Sequence, residues 1–284
     1  MRMFTWPPAY DAAVQEDEAR TGVPIDALPE HARTAWLALR DTLRVILGED
    51  LLAIWAHGGT TVVTDEAHAA DLDTYVIVAR RPDAAQAQAI EETHARLASE
   101  HDVDWDTWYV LEAEARRPEQ PRHAYRENSR DTAWAIGRAH WLAGRVATIH
   151  GPSPHQIVPA PTWEELAVEL SREVEHLERH VVEGDDDPYE ATFALLNGSR
   201  VIRAVKTGDV VISKRAAATW ALDHLPDRWR PAIRAAERSY LGRAEPGDHA
   251  LIAAEQGPFV AYVRECLPWP DDRPADTLPR WSGY

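Results

Sequence analysis

The chain has 284 residues, 45% of them apolar, which is enough for a real core in one large domain or two of ordinary size. A formal charge of −17 argues against nucleic-acid binding as the main activity, because neutralising phosphates needs Lys and Arg in excess. No apolar run approaches the roughly 20 residues of a membrane span, the first residues lack a secretory h-region, and Cys266 alone can form no internal disulfide, so a cytoplasmic, monomeric protein without membrane or nucleic-acid partners is expected.

From about Pro29 to Leu47, the positions Ala32, Trp36, Leu39, Leu43, Ile46 and Leu47 recur at three and four residues. This predicts an amphipathic helix closed by Gly48. Leu51 to His57 reads as a short buried strand running into Gly58 and Gly59. Asp71 to Val78 is a second strand with an acidic start, Ala84 to Ser99 a helix, and Val103 to Leu111 a third strand. Trp134 and Trp141, seven residues apart, share one helical face at a spacing typical of core. Thr162 and Glu165 fit a capping box, opening a helix in which Trp163, Leu166, Leu170, Val174, Leu177 and Val181 form one stripe. After Gly184–Pro188, further helices are expected near 189–206, 214–224, 231–241 and 249–265, punctuated by Gly208, Pro226 and Gly242. The expected fold is α+β: a small mixed sheet with helices in a domain over 1–155, then an all-helical domain over 156–284. A cleft between two such domains is a common ligand site.

The most informative stretch is His57-Gly-Gly-Thr60 followed by Asp71-Leu-Asp73. Side chains alternate along a strand, so Asp71 and Asp73 share a face, about 7 Å apart. Two such carboxylates repel unless something positive sits between them, and Mg²⁺ with a nucleotide phosphate tail is the natural candidate. The Gly59-Thr60 turn lets backbone approach phosphates and adds a hydroxyl. Asp102, Asp104 and Asp106 alternate on the third strand. If that strand lies beside the second, Asp106, or failing it Asp104, would act as a third metal ligand or as a general base toward an attacking hydroxyl. An acidic surface also concentrates cationic substrates.

These residues resemble the aminoglycoside nucleotidyltransferases of the polymerase-β-like superfamily, and among them the streptomycin 3″/spectinomycin 9 adenylyltransferases. The first likeness is Gly59-Thr60 with Asp71-Leu-Asp73, Thr standing where that family has Ser. The second is the order and spacing of Ser199–Gly208, Ser213–Leu222, Leu225-Pro226 and Tyr240-Leu-Gly242, with His150-Gly-Pro152 between the domains. The resemblance implies Mg²⁺-dependent transfer of AMP from ATP to a hydroxyl of a small cationic antibiotic, with Lys214 and Tyr240 contacting ATP. The position of Lys214 agrees, since Ser213 is a good N-cap and a cation in the first helical turn favours a bound anion nearby. The chain departs from the family in offering Asp106 or Asp104 where the catalytic base is Glu. It also has Val181 where streptomycin-selective members carry Trp, whereas Asp186 matches their substrate-binding Asp within an acidic run.

Overall fold

The computed structural model describes residues 22–61, 71–127, 129, 131, 133–183 and 188–267. Among these residues a four-stranded mixed sheet has the order β3-β2-β1-β4, with β1 Leu51–Ala56, β2 Asp71–Val78, β3 Asp104–Leu111 and β4 Ala147–His150. β2 and β3 run parallel, and β1 is antiparallel to both β2 and β4. The two faces of the sheet have different cover. Leu72, Val76, Val78 and Tyr109 pack beneath α1 (Glu30–Leu47) and α2 (Ala84–His101) in one core with Trp36, Leu39, Ile90 and Leu97. The Trp36 indole donates to Thr74 Oγ1 at 2.8 Å and so ties α1 to the centre of β2.

The opposite face presents Tyr75, Ile77 and Val110 to Trp134 and Trp141 of α4 (Trp134–Leu142), with Trp55 completing the layer. A short α3, Glu112–Ala115, follows β3 directly. Both indoles of α4 are fully buried, as their seven-residue spacing predicts. Asp71 and Asp73 lie on this same face but at the open end of the strand, beyond the aromatic cover.

The second body is α-helical: α5 Trp163–Glu183, α6 Pro188–Thr207, α7 Lys214–His224, α8 Arg230–Tyr240 and α9 Asp248–Cys266. Their shared core includes Leu166, Leu170, Leu195, Ile202, Trp229, Ile233 and Phe259, and α4 adds Ala135 and Ala139. The capping box at the start of α5 is present in both directions: Thr162 N donates to Glu165 Oε2 at 2.8 Å and Glu165 N to Thr162 Oγ1 at 3.3 Å. Helix α4 therefore serves both cores, giving one face to the sheet and the other to the helices. No helix of the described residues is long and apolar enough to cross a membrane.

Candidate active site

The parallel register of β2 and β3 sets Asp71 opposite Asp104 and Asp73 opposite Asp106. The adjacency that the sequence left conditional is therefore met, and the four carboxylates border one end of one sheet face. Asp73 is the most enclosed of them. Burial pushes its pKa from 3.8 to about 8, and the charges of Asp71 and Asp106 push the same way, opposed by Lys214. Asp106 is also raised, first by partial burial at the strand mouth and then by Asp71, although its side chain still reaches solvent. Asp104 is exposed at the rim and lies opposite Asp71. Asp102 departs from the expected alternation: it closes α2 in a left-handed conformation (φ 53°), and the strand begins only at Asp104. Asp71 raises the proton affinity of both Asp73 and Asp106, and such a set of hard oxygen donors fits a hard divalent cation.

The turn after β1 is built around Gly58. Its φ is +75°, and a Cβ there would stand 1.5 Å from Asp73 Oδ2. Only glycine lets the chain pass this close to the carboxylate. Thr61 pins the turn through its hydroxyl and amide, both donating to the Gly58 carbonyl (2.9 and 3.3 Å). The His57 amide donates to the Asp73 carbonyl at 3.0 Å, so turn and strand move as one. Gly59, by contrast, has open space where a Cβ would be, and the backbone of Thr60 continues the same 3₁₀ turn, Gly59–Thr61. The His57 ring lies 5.1 Å from Tyr75 and 5.7 Å from Trp141, and burial depresses its pKa to about 3. It is a neutral, packed histidine.

Across from the carboxylates stands the first turn of α7. Ser213 caps it, accepting from Ala216 N at 3.2 Å, and Lys214 follows. Burial lowers the Lys214 pKa, and Arg200 lowers it further; Asp73 and Asp71 pull it up. Its ammonium sits 4.7 Å from the Phe193 ring centre and 5.6 Å from that of Tyr240. These three residues line a cavity of about 200 Å³ together with Tyr189, Thr192 and Ser239. Arg200 donates to Asn197 Oδ1 (3.2 Å), and burial lowers its pKa. The Lys214 ammonium therefore faces the carboxylates of Asp73 and Asp71, with Arg200 near it on the helical side.

Beneath the carboxylates, the Tyr75 hydroxyl donates to Asp131, whose other oxygen accepts from Ala133 N at 2.8 Å. Burial raises Asp131 to about 6. Glu169 of α5 accepts from Ala135 N and Ile136 N, both at 2.9 Å, and so caps α4 from another element. Sequence reading missed Gly58, Arg200 and this buried acid pair. The Gly58-Gly59 doublet was the one local signal; the rest depends on contacts between distant segments. Asp186 lies outside the described residues. Val181 is half-buried and packs against a small apolar cluster of Leu177, Ala194 and Val260.

Comparison with known proteins adds two findings. Residues 162–264 match the family model described as aminoglycoside adenylyltransferase, C-terminal domain. Among solved structures, the chain is similar to spectinomycin adenyltransferase AAD(9) from Enterococcus faecialis, solved with ATP and spectinomycin. The two share 17% identity and a TM-score of 0.65, over 82% of this chain and 98% of that chain. At this identity the likeness speaks for the fold alone: a mixed sheet with its helices, joined to a helical body. A comparison with curated proteins finds no match.

Proposed function

We propose that this chain, whose residues 162–264 match the C-terminal domain model of the aminoglycoside adenylyltransferases, is a member of that family and transfers AMP from ATP to a hydroxyl of an aminoglycoside-type antibiotic, conferring resistance. The observation that carries the reading is the opposition of Asp71, Asp73 and Asp106 to Lys214 across the mouth of the sheet, close enough for Asp73 and Lys214 to shift one another. The domain division at 155/156 and a monomeric state are part of the same proposal.

In the reaction the acceptor oxygen bonds to the α-phosphorus of ATP while the bond from that phosphorus to the bridging oxygen breaks. Pyrophosphate departs with the electron pair. Asp106 takes the proton from the acceptor hydroxyl, or else completes the metal site. It is preferred to Asp104 because it stands opposite Asp73 and its charge is felt there. Asp71 and Asp73 would hold Mg²⁺, which neutralises charge on the phosphates and on the departing pyrophosphate. Lys214 and Arg200 bind phosphate oxygens from the helical side, and Gly59 and Thr60 offer their backbone from the sheet side. The aromatic cavity beside Lys214, walled by Phe193 and Tyr240, suits a stacked adenine. The acceptor enters the acidic cleft, with Asp186 as its expected anchor. The neighbour solved with spectinomycin, and Val181 where streptomycin-selective members carry Trp, both favour spectinomycin over streptomycin as the acceptor class.

Pyrophosphate release from Mg·ATP provides the test, with spectinomycin and streptomycin offered separately. The reading expects release that depends on spectinomycin; release with no acceptor dependence, or none with any aminoglycoside, contradicts it. In the same assay Lys214→Ala should raise KM for ATP by about tenfold or more, because a charge-assisted contact to phosphate is lost. An unchanged KM would remove Lys214 from the nucleotide site.

A further inference from the structure

A second cluster of metal-binding side chains lies in the helical body. His176 and His180 are one turn apart on α5, so both rings project from one face of that helix. Glu190, in the first turn of α6, reaches toward them. One ring nitrogen from each histidine and one carboxylate oxygen from Glu190 all lie within 4.8 Å of one another. Among the described residues this is the trio of His, Cys, Asp or Glu whose donor atoms are drawn together in this way.

We propose that His176, His180 and Glu190 form a site for a divalent transition ion of the Zn²⁺ class, which staples the end of α5 to the start of α6. Three observations support it. The donor set is two imidazoles and one carboxylate, the combination that suits Zn²⁺ far better than Mg²⁺. The Nδ1 of His180 is buried and makes no hydrogen bond; its nearest anionic neighbour, Glu190 Oε2, is 4.0 Å away. That separation is too long for a hydrogen bond but leaves room for an ion between donor atoms. Lastly, a further carboxylate lies one turn earlier on α5: Glu173, which accepts from Asn197 Nδ2 at 2.8 Å.

Zn²⁺ bonds of roughly 2.0–2.1 Å to N and O place tetrahedral donors about 3.4 Å apart. Closing from at most 4.8 Å needs donor atoms to approach by up to about 1.4 Å, which these partly exposed side chains can make by rotation. The His176 and His180 rings already meet edge to face at 4.4 Å between centres. Three protein ligands leave a fourth position for water. The consequence reaches the nucleotide cavity, because Glu190 sits between its neighbour Tyr189 and the turn that carries Phe193, and both those rings line that cavity. The His176 ring also meets Phe193 edge-on at 6.3 Å.

The test uses the full chain without an affinity tag, stripped with EDTA and titrated with Zn²⁺ against a chromophoric chelator. The proposal expects one equivalent with Kd below about 1 μM. Asp73→Asn should keep it, whereas His180→Gln and Glu190→Gln should each weaken it. Losing an outer-shell partner alone costs about 10- to 100-fold in affinity, so losing a ligand should cost at least as much. Circular dichroism would confirm that each variant is folded, and the two replacements act on different helices, so failure of one to fold leaves the other. Absence of a submicromolar equivalent, or an equivalent lost with Asp73→Asn but kept in a folded His180→Gln or Glu190→Gln, overturns the site.

Discussion

Asp73 shows how a single residue links stability to chemistry. Its carboxyl is protonated up to about pH 8 in the folded chain but only up to about its ordinary 3.8 in the unfolded one. Between those values the native state binds the extra proton, so the metal-free protein loses stability as pH rises through that window. Asp73→Asn removes this dependence. The variant should melt about 2–4 °C above wild type at pH 8 and converge with it near pH 4, measured without divalent metal. An equal gap at both ends would mean that Asp73 is not the buried acid. Gly58 gives a second residue-level case. Gly58→Ala forces a Cβ onto Asp73 Oδ2 and keeps a left-handed φ, and should cost at least about 2 kcal/mol in urea unfolding along with activity. Gly59→Ala, with open space, should cost well under about 1 kcal/mol. The alternation of Asp71 and Asp73 made the acidic face legible in the sequence. That Gly58, and not Gly59, meets the carboxylate could not be read, because the approach joins two segments separated by more than a dozen residues.

Among the elements, the long amphipathic helices and the capped start of α5 follow directly from local pattern, since period and cap chemistry lie within a few residues of each other. β4 did not announce itself. It has four residues, and its strand state comes from pairing with the edge of β1 rather than from any alternation of its own. Helix α4 illustrates the other limit. Its N-terminal amides find no cap nearby in sequence; Glu169 supplies it from α5, more than thirty residues away. Burial keeps the Glu169 pKa high, at about 7, against the pull of the two amides it accepts from. Glu169→Ala should therefore destabilise the protein by about 1–3 kcal/mol, read by chemical denaturation, because two buried amides lose their acceptor. A change below about 0.5 kcal/mol would show that water caps the helix instead.

At the scale of the molecule, α4 and the segment leading to α5 hold the two bodies in register. Arg138 is fully buried there, paired with Glu165 and donating to the carbonyls of Pro159 (3.0 Å) and Pro118 (3.2 Å). Arg138→Ala should cost about 3 kcal/mol and lower activity beyond what stability explains, since it loosens the geometry that sets Lys214 against Asp73. Activity that falls only in proportion to the folded fraction would separate the interface from catalysis. The charge of −17 places this opposition in an acidic molecule, in keeping with a cationic acceptor. The most direct test of the account is mass spectrometry of spectinomycin after incubation with ATP, Mg²⁺ and either the wild-type chain or folded Asp73→Asn. The account predicts an adenylyl increment on the antibiotic with wild type and none with the variant. An unmodified antibiotic with wild type, or equal modification by both proteins, would contradict it.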